Sequence, residues 1–351
     1  MMVKASAPAK AILFGEHAVN RGQSALAVSV GLHVTCELET GDGDQYRFVA
    51  GARDQTVSRS DVLELGARVD AWRAVEDFSS VRDLVRGDYF APAKYLLAGL
   101  GQSLPSSLTV RWSGEIPPSG GLGSGGAAFA VLAAAVLGTP SSTQIKNSVL
   151  DGVSLERTAR LAWRGDVVAH GGIASGLDTG TSVYGGAIRY TLERWAEPVP
   201  CAPGLMLVIG DTGKPGATAE ANTRVRQWLE ERPSRMHHFE EVGLLSKLAE
   251  PVLERGDWVT LGHLMNLSQL LLERISVSTP DLERLIAASL EAGALGAKLS
   301  GSGGGGIMLA LVTPDSLETV KHAISSAGGT AIHAPVGVPG VQVELESTVG
   351  A

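Results

Sequence analysis

Residues 117–138 read PPSGGLGSGGAAFAVLAAAVLG, and the junction inside this stretch decides the fold. Its first ten residues are Pro, Gly or Ser except for Leu122, and an alanine-rich apolar run follows without a gap. A run apolar on every side reads as a buried helix. The first turn of a helix offers N–H groups without intrahelical partners and a partial positive charge. Glycine lets the backbone wrap closely around a phosphate at that end. No Gly-Lys-Ser/Thr follows, so this is not a Walker loop, and no ribose-binding acid is placed as in a dinucleotide fold. On its own the stretch admits both an anion-binding loop and a tight connection, although a slack linker seldom runs straight into a core helix.

The rest of the composition narrows the class. A chain of 351 residues with 44% hydrophobic content is long enough for two domains. Charged residues make up 19% with no long run of one sign, which argues against disorder. A net charge of -8 argues against a general nucleic-acid binder, although an anion can still enter a locally positive pocket. Two cysteines, Cys36 and Cys201, form neither a zinc spacing nor a disulfide framework. No signal peptide is evident, and the longest apolar run, Ala127 to Leu137, falls short of the roughly 20 residues a membrane span needs. The expectation is a soluble, cytoplasmic protein with no membrane and no nucleic-acid partner.

Strand-like patterns occupy 3–14, 24–39 and the segment SLTVRWSGEIPP before the opening stretch. Helix formers dominate 61–100, 153–169 and 216–276, and VYGGAIRYTL (183–192) reads as a strand. Punctuation at EPVPCAPG, near Pro198–Pro203, marks a second unit. LMLVIGD is then a short buried strand, and Thr279-Pro280 starts a helix whose apolar face is Leu282, Leu285, Ile286 and Leu290. Strands and helices cluster rather than alternate strictly, so the class is α+β.

Individually the remaining motifs are weak. GSGGGG (301–306) has a linker's composition, yet it lies between strand-like GAKL and IMLALV. PAKAILFGEHAV brings Lys10, Glu16 and His17 together, and each has an ordinary surface reading. Asp178, in HGGIASGLDTGTSVYGG, sits in a Gly/Ser-rich loop where an Asp commonly does turn chemistry, and GDTG (210–213) has the same reading.

Taken together and in order, these stretches resemble the GHMP small-molecule kinases, and within them the mevalonate kinase branch. PAKAILFGEHAV is similar to the family's first motif, PPSGGLGSGGAA to the ATP phosphate loop, and KLSGSGGGG to the third motif. HGGIASGLDTGTSVYGGAIRY, VIGDTGKPGATAE and the long stretch from MNLSQ to GSGGGG carry the branch. The resemblance implies a two-domain fold, 1–197 and 198–351, with a left-handed β-α-β crossover in the N-terminal domain. It implies ATP held by Ser119, Gly120, Gly121, Leu122, Gly123, Ser124 and Gly125. Asp178 would be the base that takes the proton of the acceptor alcohol, the 5-hydroxyl of mevalonate, with Lys10 beside it supporting the developing charge. Glu16, His17 and Thr212 would contact the acceptor, and Ser300, Gly301, Ser302 and Gly303 would form the third motif. The implied cofactor is Mg²⁺, the implied partners are mevalonate and MgATP, and a homodimer is left open.

Three departures from the family pattern concern the metal and the loops. Gly125 stands where the family's phosphate loop has a magnesium-binding serine, and Asp166 stands where a glutamate is usual. The segment around Asp178 is one residue longer and has Ala174 in place of a proline. Asp166, with Ser124, is therefore the candidate metal set. Two alternatives remain at this point: a related kinase acting on phosphomevalonate, a sugar or mevalonate's 3-hydroxyl, and a nucleotide-binding sensor that does not catalyse.

Overall fold

The computed structural model describes residues 2–117, 121–138, 152–216 and 218–346. Two sheets organise it. The first contains β1 (Met2–Phe14), β2 (Ala25–Gly41), β3 (Gln45–Ala50), β4 (Arg53–Ser58), β5 (Ser107–Gly114), β6 (Ala187–Thr191), β7 (Trp195–Val199) and β12 (Gln342–Glu346). Its order is β12-β1-β2-β5-β3-β4, with β6 on β2 and β7 on β6. The second contains β8 (Leu207–Asp211), β9 (Gly296–Ser300), β10 (Ile307–Leu311) and β11 (Thr330–His333), in the order β11-β8-β10-β9. The fold is mixed α+β with two sheet-bearing regions, and its last described strand returns to pair antiparallel with its first.

Helices α1 (Arg59–Ala74), α2 (Phe78–Gly87), α3 (Ala91–Ala98), α4 (Ser124–Leu137), α5 (Gly152–Ala169) and α6 (Leu177–Tyr184) accompany the first sheet. Helices α7 (Thr218–Glu231), α8 (His237–Arg255), α9 (Trp258–Arg274), α10 (Pro280–Glu291) and α11 (Leu317–Ser326) follow β8. Helix α4 is apolar all round because it is enclosed all round: β1, β2, α5 and α6 pack against it. Its alanines 130 and 133–135 have no solvent exposure. Small side chains there let four elements approach one helix.

Strand β1 is the frame of the molecule. Residues Met2–Ser6 pair on one side with β12 and on the other with β2. The β2 register then shifts between Pro8 and Ala9, where the missing proline N–H is tolerated at an irregularity. Beyond β12, the open edge of β1 takes two loops instead of a strand. Lys10 N–H donates to Leu122 O at 2.9 Å, and Ile12 N–H donates to Ser300 Oγ at 2.9 Å. One strand edge thus fixes the glycine stretch before α4 and the glycine stretch after β9.

Several sequence expectations change here. Leu177–Tyr184 is helix, so Asp178 lies in the first turn of α6 rather than in a loop, and the strand begins only at Ala187. Four glycines in 171–180 concealed the helix: glycine carries no helical periodicity and costs propensity. Leu282, Leu285 and Ile286 are buried as expected, but Leu290 is 37% exposed. Thr279 caps α10 as its sequence position implies, accepting from Leu282 N–H.

Candidate active site

Two helix N-termini meet at the site. Helix α4 begins after Gly123 and α6 after Gly176; both caps are left-handed, and α4 has no side-chain cap, whereas in α6 Leu177 N–H donates to Ser175 Oγ at 3.2 Å. First-turn N–H groups without a capping side chain are suited to an anion. The helices approach closely at Gly126, where a Cβ would lie 2.8 Å from Asp178 Cβ. Glycine at 126 is therefore what lets the carboxylate of Asp178 stand against the first turn of α4.

Lys10 reaches this junction from β1. Its Nζ lies 3.1 Å from Asp178 Oδ1 and donates to Gly121 O at 3.2 Å. The lysine side chain is 4% exposed and that of Asp178 is 23% exposed, so the carboxylate can be reached from solvent while its counter-charge cannot. Gly123 passes directly over the lysine stem at φ 73°; a Cβ there would fall 2.8 Å from Lys10 Cγ. Gly121, Leu122, Gly123, Ser124 and Gly125 of the expected phosphate loop gather around Lys10 and the start of α4, whereas Ser119 and Gly120 lie outside the described residues.

The third motif is stitched in place, which a linker would not be. Ser300 Oγ receives Ile12 N–H and donates to Ile12 O at 3.0 Å. Gly304 N–H donates to Val277 O and Gly306 N–H to Lys214 O, each at 2.8 Å. His17 joins it through a 2.8 Å hydrogen bond between Nε2 and Ser302 O. A carbonyl can only accept, so Nε2 carries the proton. Burial pushes the imidazole down to about 4, against the pull of that hydrogen bond, so it is neutral near pH 7. Its backbone is held at φ 59°, an uncommon conformation for a non-glycine residue, and Arg21 clamps its carbonyl at 2.8 Å. Gly301 and Ser302 border the phosphate loop and His17, while Gly303 turns beneath Val277.

Glu16 is 1% exposed and forms an ion pair with Lys298 Nζ. Its other oxygen, Oε2, is buried with no hydrogen-bond partner. Lys298 was not among the residues expected from the sequence. The available signal is a lysine inside an apolar strand, GAKLS, every residue of which is buried; a charge there requires a partner. Thr212 is drawn elsewhere: its Oγ1 donates to Gly306 O at 2.8 Å, tying β8 to the end of the third motif.

Asp166 projects from α5 next to Gly165, whose Cα side faces Phe129 on α4; a Cβ there would sit 2.7 Å from the ring. Gly125 lies on the same aromatic side chain, 3.8 Å from Phe129 Cε2 to its ideal Cβ. Asp166 is 2% exposed, and its Oδ1, which has no hydrogen-bond partner, is 3.1 Å from His170 Nδ1. The charge of Asp166, outweighing burial, raises His170 to about 10. A buried carboxylate is a ligand of the kind a hard cation such as Mg²⁺ takes, and here its Oδ1 is already paired with the His170 imidazolium, which Mg²⁺ would replace as the counter-charge. A separate group, His237, His238 and Glu241 at the start of α8, has ligand atoms within 4.8 Å of one another and includes neither Asp166 nor Ser124.

The fold is that of the GHMP kinases, ATP-dependent kinases of small molecules. Residues 249–330 match the family model described as GHMP kinases C terminal. The mevalonate kinase of Thermococcus sibiricus is 34% identical over 98% of this chain and 99% of its own length. The chain belongs to the mevalonate kinase family. Among solved structures, the L. major mevalonate kinase in complex with R-mevalonate superposes with a TM-score of 0.71 at 24% identity, covering 96% of each chain. The galactose complex of Lactococcus lactis galactokinase superposes with 0.76 at 18% identity, covering 97% of this chain and 94% of that one. No helix among the described residues is long and apolar enough to cross a membrane.

Proposed function

We propose that this protein transfers the γ-phosphoryl group of ATP to the 5-hydroxyl of (R)-mevalonate. The observation that carries the reading is the Lys10–Asp178 pair held against the uncapped start of α4. Architecture alone does not choose the acceptor, since a galactokinase superposes as well as a mevalonate kinase does. Identity of 34% along nearly the whole length favours mevalonate. ADP release from MgATP with mevalonate, phosphomevalonate and galactose as acceptors tests this; a preference for either of the last two overturns it.

In this mechanism the acceptor hydroxyl lies against Asp178, which takes its proton as the new P–O bond forms. Lys10 bridges the base and the phosphate loop through Asp178 Oδ1 and Gly121 O, so the nucleophile and the transferred group share one positive charge. First-turn N–H groups of α4 face the nucleotide phosphates. Glu16 and His17 orient the acceptor, with Thr212 setting the β8 loop around it. Asp166 would hold Mg²⁺, directly or through water, with Ser124 as the loop hydroxyl. When bound, Mg²⁺ neutralises charge on the β- and γ-phosphates. We read the chain as two domains, 1–197 and 198–351, with β12 lent back to the first, and its N-terminal domain as containing the left-handed β-α-β crossover of this family.

The metal assignment gives a graded expectation. Asp166→Ala raises the Mg²⁺ concentration for half-maximal activity by about tenfold or more, as loss of a ligand oxygen would, and changes the mevalonate KM less. Gly125→Ser lowers it, because position 125 is open to a side chain and the hydroxyl completes the shell. Magnesium titrations of both variants decide this; an unchanged requirement in Asp166→Ala makes that carboxylate a partner of His170 only.

A further inference from the structure

We propose that Lys298 is a positioning residue for the acceptor alcohol: its ammonium, held between Glu16 Oε1 and the Leu299 carbonyl, fixes the Glu16 carboxylate and leaves Oε2 to accept from a hydroxyl of the acceptor. This rests on the reading of the site given above. Three observations carry it. Neither side chain of the pair is solvent-exposed. Lys298 Nζ also donates to Leu299 O at 2.6 Å, so the ammonium is held from two sides. Glu16 Oε2 has no donor, although a buried carboxylate oxygen ordinarily has one.

The pair also spans the site. Glu16 follows β1 immediately after Gly15, and Lys298 lies in the middle of β9, so the contact joins the two sheets across the loop that bears His17. Glu16 is bracketed by Gly15 at φ 101° and His17 at φ 59°, which limits how its backbone can shift. Charged groups act on it from two elements: Lys298 from β9, and Lys10 from β1. Its neighbour His17 is neutral. Burial raises the Glu16 carboxyl and lowers the Lys298 ammonium, while each charge pulls the other back toward its ionised form. Removing Lys298 takes away the two largest influences that oppose burial and leaves only the backbone N–H of Glu16 and Lys10 against it, so Glu16 takes up a proton at a pH where the native carboxylate does not. A protonated Glu16 has lost the charge that makes its oxygen a strong acceptor.

A purely structural ion pair would behave differently, and two variants separate the cases. In Lys298→Met the acid limb of kcat/KM for the acceptor moves upward by about 2 pH units, with activity recovering as pH rises. At pH 7 its kcat/KM falls on the order of 100-fold, mainly through KM for the acceptor, while the Kd for MgATP stays within about twofold. The double variant Glu16→Gln/Lys298→Met carries no buried charge, so it regains thermal stability but remains impaired on the acceptor, without the shifted limb. A double variant that regains both stability and turnover overturns the proposal, as does an unshifted acid limb in a folded Lys298→Met. Should Lys298→Met fail to fold, Lys298→Gln takes its place, and the position of its acid limb decides. These ratios are read on whichever alcohol the native enzyme accepts in the acceptor panel. Failure on mevalonate there counts against the assigned substrate, and failure of the variants counts against Lys298.

Discussion

Replacing Asp178 with asparagine should lower turnover by at least about 100-fold, the low end of what a general base contributes. The amide keeps the shape of the side chain and its place in the first turn of α6 but cannot take the hydroxyl proton. MgATP affinity should hold, because the phosphate loop meets Lys10 through Gly121 O and Leu122 O rather than through Asp178. Steady-state kcat and a calorimetric Kd for MgATP read the two effects separately. Lys10→Met provides the contrast. Lys10 touches both the base and the loop, so its loss should depress turnover and nucleotide affinity together. Near-native turnover in Asp178→Asn would remove it from the role of base.

How much of this was legible in the sequence depends on whether a residue's meaning is local. Lys10 and Asp178 are 168 positions apart, and no spacing rule joins them. They became readable only because each sits in a stretch similar to a family motif. The start of α4 was legible from physics alone, since an all-round apolar run after glycines has few alternatives. Helix α6 was not: eight residues following a run of glycines and a serine offer no period to detect. Strand β12 was equally hidden, because its partner is at the other end of the chain. Lys298 shows a different failure. The apolar pattern marks the strand around it, but only the cost of a buried ammonium without a carboxylate signals that the charge within it needs a partner. Its partner, Glu16, was noticed for its neighbours in sequence, and their pairing is a tertiary fact.

Two neighbouring glycines give the sharpest test of the phosphate loop, because the structure treats them oppositely. Gly123 is left-handed at φ 73°, a conformation that a β-branched residue adopts only with strain of about 1–3 kcal/mol. The added Cβ would also strike the Lys10 stem, at 2.8 Å from Cγ and 2.9 Å from Cε. That lysine is enclosed, with 4% of its side chain exposed, so it has no free direction in which to yield. Gly123→Val must therefore move the loop, the lysine or both, and either movement separates Lys10 from Asp178 or from Gly121 O. The expected result is a loss of MgATP affinity of about tenfold or more, which that strain covers at about 1.4 kcal/mol per decade, and a fall in turnover on the order of 100-fold as Lys10 leaves the general base. Gly125 is exposed, and a Cβ there meets only Phe129, at 3.8 Å, so Gly125→Ser should leave MgATP affinity near that of the native protein. Calorimetric titration with MgATP compares the pair directly. Equal affinity in Gly123→Val and the native protein would place the nucleotide phosphates away from α4. Equal losses in both variants would mean that the loop is sensitive to any side chain, rather than to the contact between Gly123 and Lys10.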